Sequence, residues 1–183
     1  PNQQVIKDFN GDGKPDIVVG ANGGFYILTN TTQALSTSIT FTTQFVSTAG
    51  IQSLAGDDLN GDGLPDLALN TGSMLVYKNV SLVGGSISFS NTGISLGSTT
   101  FYSVAISDID FDGKPDIVAG GNGGSAVYIF RNTTSVGAIS FSAAITSFAT
   151  GSTAHALAIG DIDGDGKVDL VTANYSPNTV NLY

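Results

Sequence analysis

The sequence has no cysteine, no tryptophan and a single histidine in 183 residues. Glutamate is missing too, since all 15 acidic residues are aspartate. Without cysteine there are no disulfides, thiolate metal sites or thiol catalysis. No run nears the length of about 18 apolar residues that a membrane helix needs. Nothing at the start reads as a charged-then-apolar leader, so any secretion signal is expected outside this sequence. The Lys and Arg residues number only 6 and are scattered, which excludes a basic face for nucleic acid. Strong helix formers are few, whereas Thr, Ser, Val, Ile and 24 Gly are plentiful. That balance favours strands and turns over helices. An apolar content of 41% is enough for a packed core.

The acids are not spread over the chain. All but Asp57 fall within residues 8–16, 58–66, 108–116 and 161–169. The first aspartates of these segments, Asp8, Asp58, Asp108 and Asp161, are separated by 50, 50 and 53 residues. A period near 50 residues lies in the range of four-stranded propeller blades. Before each acidic segment stands a short apolar strand, as at 102–106 and 156–159, and another follows at 17–19, 67–69, 117–119 and 170–172. Gly/Asn-rich turns such as 21–24 and 121–124 lead to a third strand at 25–28, 75–77, 127–130 and 180–183. A fourth alternates apolar and polar residues at 39–41, 87–89 and 139–141, as suits an outer strand with one wet face. The expected fold is all-β, a single β-propeller region over 1–183 with repeats near 1–50, 51–100, 101–153 and 154–183. Tyr183 follows Asp169 by 14 residues, as Phe130 follows Asp116, so the fourth repeat is expected to lack its outer strand. An open propeller leaves sheet edges unpaired. The ring is therefore expected to be completed by the remainder of a longer chain or by another copy.

Each acidic loop carries oxygen-bearing side chains at positions 1, 3, 5 and 9 and glycine at position 6. Calcium takes six to eight oxygen ligands, and alternate positions on a tight loop can face one centre. The predicted ligands are Asp8, Asn10, Asp12 and Asp16 with the Lys14 carbonyl, then Asp58, Asn60, Asp62 and Asp66 with that of Leu64. The third set is Asp108, Asp110, Asp112 and Asp116 with Lys114; the fourth is Asp161, Asp163, Asp165 and Asp169 with Lys167. Glycine at position 6 suits a positive-φ turn, and position 4, where Phe111 replaces glycine, reads as less demanding. The bland alternative is a set of polar Asx turns. Against it, carboxylates crowded in one loop repel unless a cation neutralises them. Four Ca²⁺ ions bring +8 against a formal charge of −9. Magnesium suits the loop less, because it demands strict octahedral geometry.

Catalysis is excluded by elimination. A Ser-His-Asp triad has only His155 to draw on, in register with Asn2, Gln52 and Tyr102 before the first strand, where it reads as a loop or surface residue. Paired-carboxylate glycoside chemistry would have only Asp57 outside the loops. Zinc lacks its His and Cys ligands, and no phosphate-binding Gly-rich loop appears. The chain is expected not to be an enzyme. Asn30, Asn79 and Asn132 recur in register as Asn-x-Ser/Thr triplets, and Asn174 forms a fourth out of register. They read as turns closing the third strand or as glycosylation acceptors. Tyr26, Tyr77, Tyr128 and Phe130 read as core between blades rather than a sugar-stacking platform.

The unit at 104–120, Val-Ala-Ile-Ser-Asp-Ile-Asp-Phe-Asp-Gly-Lys-Pro-Asp-Ile-Val-Ala-Gly, resembles the FG-GAP repeat, also called the VCBS-type repeat. That repeat forms propeller blades in integrin α chains and many secreted bacterial proteins. The resemblance covers nearly the whole chain, with the Asp loop its most specific part. It implies a propeller of about seven or eight blades with calcium between the first two strands of each. The Phe-Gly and Gly-Ala-Pro elements are weak here, so integrin-like ligand recognition does not carry over. The expected role is a calcium-binding extracellular or cell-surface module for adhesion or for a glycan or protein ligand. The rivals are a structural subunit of a self-assembling ring or filament completed by strand exchange, and an accessory domain of a larger secreted enzyme.

Overall fold

The computed structural model describes residues 3–97, 101–121, 126–135, 138–149, 153–175 and 178–183. Among them all regular structure is strand, and no helix is long and apolar enough to cross a membrane. The first sheet is β1 (Gln4–Lys7), β2 (Asp16–Ala21), β3 (Gly24–Asn30) and β4 (Phe41–Ser47), antiparallel and in chain order. The second repeats that order with β5 (Ser53–Asp57), β6 (Asp66–Asn70), β7 (Met74–Asn79) and β8 (Phe89–Ser95). The third contains β9 (Phe101–Ser107), β10 (Asp116–Gly121), β11 (Ala126–Phe130) and β12 (Ile145–Ala149). The fourth has three strands, β13 (Ala154–Gly160), β14 (Asp169–Asn174) and β15 (Thr179–Leu182).

The first three strands of each sheet fall where the apolar runs predict. The fourth strand does not. It starts at Phe41 or Phe89, where the predicted alternating run ends, and in the third sheet residues 139–141 precede β12 and meet the chain after β11 through an isolated Asn132–Phe141 bridge and hydrogen bonds between Ser140 and Thr133 and Thr134. β4 is largely solvated, so burial constrains its pattern and its ends only weakly. Of the two glycine turns singled out, 21–24 is a tight β2–β3 hairpin with Gly23 at φ 83°, while most of 121–124 lies outside the described residues.

Consecutive sheets pack face to face. One core joins Phe9, Val18, Phe25 and Ile27 of the first sheet to Leu54, Leu67, Leu69 and Tyr77 of the second. A second joins Leu59, Ala68, Met74 and Val76 to Phe101, Val104, Ile117 and Phe130. A third sets Val118 and Val127 against Leu170 with Leu157 and Tyr183 beside it. The first strands are themselves neighbours, β1 to β5, β5 to β9 and β9 to β13. Tyr77 and Phe130 are buried and Tyr128 packs on the second core, as expected of residues between sheets. Tyr26 departs from that expectation and is 43% exposed, because its sheet has no described sheet on that side.

The close approach of neighbouring sheets shows at one register position. A Cβ at Gly20 would lie 2.9 Å from Ile51 Cγ2, and one at Gly120 would lie 2.7 Å from the Ala154 carbonyl oxygen. Asn70 fills the same position in the second sheet and donates its amide N–H to the Phe101 carbonyl. Gly120→Ala would press a methyl group onto backbone that cannot yield like a side chain. We expect a loss of about 1–3 kcal/mol, read as a lower denaturation midpoint with an unchanged m-value.

Candidate metal-binding loops

Each acidic loop is closed by the same strand register. Lys7 pairs with Asp16, Asp57 with Asp66, Ser107 with Asp116 and Gly160 with Asp169. The ninth loop position is thus the first residue of the second strand, anchored by the ladder itself. The eight residues between curl through side-chain acceptors. Asp8 takes the Asp12 and Gly13 N–H groups at 3.1 and 2.7 Å, and Asp108 takes those of Asp112 and Gly113 at 3.1 and 2.9 Å. Asp58 accepts from Gly61, Asp62 and Gly63, and Asp161 from Gly164 and Gly166. Asn10, Asn60, Asp110 and Asp163, all at position 3, accept the N–H of position 5. Asp12, Asp62, Asp112 and Asp165 in turn accept the N–H groups of Lys14, Leu64, Lys114 and Lys167.

These turns need left-handed backbone. Gly13, Gly63, Gly113 and Gly166 have φ between 83° and 89°, as predicted. Position 4 proves equally strict. Gly11, Gly61 and Gly164 have φ of 68°, 76° and 79°, and Phe111 adopts φ 60° as well. The variation at this position therefore reflects tolerated strain, not a looser requirement. A side chain in this region costs about 1–2 kcal/mol, while glycine's freedom in the unfolded chain returns roughly 0.5–1 kcal/mol of it. Phe111→Gly, at a ring that is 55% exposed, should therefore raise the melting temperature slightly, and a fall would refute this account.

The ninth-position aspartates stand apart from the rest. Asp16, Asp66 and Asp116 are buried, and each holds two backbone N–H groups from different elements. One is that of Phe9, Leu59 or Ile109 at the start of the loop; the other is that of Asn30, Asn79 or Asn132 after the third strand. Burial pushes the Asp66 carboxyl up to about 7, against the opposing pull of the Asn79 and Leu59 N–H bonds, and Asp62 and Asp58 add to the rise. Burial raises Asp16 and Asp116 likewise. In the exposed fourth loop the Lys167 ammonium, 2.8 Å from Asp165, holds that carboxyl down and is itself raised.

The donor set suits a hard divalent cation. Carboxylate oxygens of Asp108, Asp110 and Asp112 lie within 4.8 Å of one another, and so do those of Asp161, Asp163 and Asp169. Oxygens on opposite sides of one Ca²⁺ are about 5 Å apart. The predicted sets are not gathered whole: Asp116 stays with its N–H partners outside the third group, and Asp165 outside the fourth. In the first two loops Asn10 and Asn60 supply an amide oxygen at position 3 in place of a carboxylate. The Asn60 Nδ2 is buried with no hydrogen-bond partner. Protein cations offset part of the charge: Lys14 reaches Asp12 at 3.3 Å, Lys78 reaches Asp62 at 3.6 Å and Arg131 contacts Asp110 and Asp112. Such exposed pairs are each worth about 0–1 kcal/mol, too little to balance the crowding of acids.

Asn30, Asn79 and Asn132 are the residues whose part the sequence underrated. They do close the third strand, accepting the N–H of Thr32, Ser81 and Thr134. Asn79 and Asn132 also clamp neighbouring sheets together. The Asn79 amide donates to the Pro65 carbonyl of its own loop and to the Phe9 carbonyl of the preceding one, at 2.9 and 2.8 Å. Asn132 does the same to Pro115 and Leu59, both at 2.9 Å. Asn79, Asn132 and Asn174 are 1%, 1% and 4% exposed, and Asn30 is 9% exposed, so glycosylation of these amides is overturned by their burial. Their recurrence in register was the available signal; the carbonyl they bond lies some 70 residues away.

The groups left outside the loops are engaged. Asp57 pairs with Lys7 at 3.3 Å. His155 lies within β13, not before it, and is stacked between Tyr102 and Tyr175 with ring centroids 4.3 and 4.9 Å away. No curated protein matches the sequence. The family model of the FG-GAP-like repeat matches three times, over residues 8–69, 58–119 and 108–172, each match running from one acidic loop to the strand after the next. With the loops, their register and nearly the whole length so matched, the chain belongs to the FG-GAP-like repeat family.

Proposed function

We propose that this chain is part of a calcium-stabilised β-propeller that works outside the cell as an adhesion or ligand-binding module and performs no catalysis. The observation that carries the reading is the repetition of one all-oxygen loop at the same register in four successive sheets. The radial arrangement is supported by the adjacency of the first strands and by cores that lie, among the described residues, between consecutive faces. Asp8, Asp58, Asp108 and Asp161 would ligate with the residues at positions 3 and 5, and the buried ninth aspartate would serve from the strand end. Bound calcium supplies positive charge that offsets both carboxylate repulsion and burial. Extracellular calcium near millimolar is enough to fill weak sites of this kind. Among the described residues outside the loops, His155 is stacked on Tyr102 and Tyr175 and Asp57 pairs with Lys7, so both are engaged.

Calorimetric titration of chelator-treated protein tests this. Uptake of about four Ca²⁺ per chain is expected, one per loop, with weaker response to Mg²⁺. Absence of binding at millimolar calcium would defeat the reading.

A further inference from the structure

The junction between the first and second sheets differs from the later ones in what covers its acidic loop. The residue just before Asn30, Asn79 and Asn132 is in turn Thr29, Lys78 and Arg131. The three positions are equivalent, since each following N–H meets the ninth-position aspartate of its own loop. Lys78 crosses to Asp62 at 3.6 Å, and Arg131 reaches Asp110 and Asp112. Thr29 is too short to cross. A groove of about 610 Å³ lies open beside the first loop, bordered by Thr29. Small-molecule sites typically measure about 300–1,000 Å³.

Register decides what faces the groove. Gln44 pairs with Ile27 and Thr42 with Thr29, and directly opposite residues share a face of the sheet. Ile27 belongs to the core shared with the second sheet, so Thr29, Thr42 and Gln44 all point toward that sheet. Ser86, from the β7–β8 connection, joins the lining, and Ile87 is the one aliphatic side chain among the described residues there. No aromatic ring of those residues borders the groove. Its charged side chains, Lys14 and Asp12, pair with each other at 3.3 Å. Among the described residues, no hydrogen bond engages the side chains of Thr29, Thr42, Gln44 or Ser86.

Such a lining selects by hydrogen bonding. Hydroxyl and carboxamide groups both donate and accept, as the hydroxyls of a sugar do. An apolar ligand would strand them, and each polar group buried without a partner costs about 1–3 kcal/mol. Phosphorylated ligands call for a cluster of arginines, whereas the single Lys14 is already matched. Helical and proline-rich peptides need apolar or aromatic pockets, which this groove does not offer. We propose that the groove binds a neutral glycan, whose hydroxyls hydrogen-bond to Thr29, Thr42 and Gln44, an assignment that rests on the ligand-binding reading given above.

Saturation-transfer NMR of the 183-residue chain in millimolar calcium tests it. The probes are glucose, galactose, mannose, fucose, N-acetylglucosamine, lactose and cellobiose, with sialic acid and a sulfated glucose as charged controls. At least one neutral sugar should bind. Thr29→Lys gives the first repeat the side chain that the second already carries, and it should weaken binding by tenfold or more with the circular dichroism unchanged. Gln44→Ala trims an exposed side chain and should weaken binding by about 10-fold. Binding unchanged by Gln44→Ala, binding retained by folded Thr29→Lys, or a preference for the charged sugars overturns the glycan site. No sugar bound by a chain that takes up calcium in calorimetry overturns it too, and leaves the calcium-stabilised module standing. Uptake of neither sugar nor calcium overturns both.

Discussion

Removal of calcium should lower the melting temperature by well over 10 °C. A ligand that binds only the folded state adds about 2.7 kcal/mol when present at 100 times its dissociation constant. For a domain of this size each kcal/mol moves the midpoint by roughly 2–4 °C. One filled loop is then worth about 5–10 °C, and there are four. The unfolded chain should compete poorly, because convergence of Asp108, Asp110 and Asp112 depends on the curled loop and its left-handed positions. Scanning calorimetry in calcium and in chelator gives the comparison. Asp112→Asn keeps the side-chain shape and the oxygen that accepts the Lys114 N–H while removing one charge, so it should cut the calcium increment by about one loop's share while barely moving the chelated melt. A melt indifferent to chelator would remove calcium from the account of this protein.

Asn79→Ala should be the most damaging single substitution among the clamps. It strips the Phe9 and Pro65 carbonyls of a donor and the Ser81 N–H of an acceptor, at a side chain 1% exposed. Each buried group left without a partner costs about 1–3 kcal/mol. The sum is roughly 3 kcal/mol or more, a fall of about 10 °C. Asn30→Ala orphans only Pro15 and Thr32 and should cost about half as much. Ser81→Ala destroys the same triplet but leaves the Asn79 amide in place. It should be nearly neutral, since Ser81 Oγ accepts only an exposed N–H from Ser88. Equal losses in all three variants would mean that the amide does not clamp neighbouring sheets.

How far the strands were legible depends on what buries them. The second strands, such as β6 and β10, are buried along their whole length, and their continuous apolar runs stand out in the sequence. The outer strand of the first sheet is wet, so 39–41 suggested a strand that begins elsewhere. At the loops, four repeated patterns located the acids and the turn glycines. Repetition could not reveal that Asp16, Asp66 and Asp116 hold two distant backbone segments together. Nor could it show that Phe111 bears a backbone geometry normally left to glycine.

By itself the sequence determined the all-β class, the repeat length and the residues that form the acidic loops. These depend on local spacing: alternation along a strand, glycine at a forced turn, oxygen donors at alternate positions. Tertiary structure decided what those residues are worth. The Asn79 amide matters because a neighbouring loop brings the Phe9 carbonyl to it, and Phe25 is buried because the second sheet packs on its face. Such contacts arise between segments some 50 to 70 residues apart, where the partner is chosen by packing and not by the neighbouring sequence.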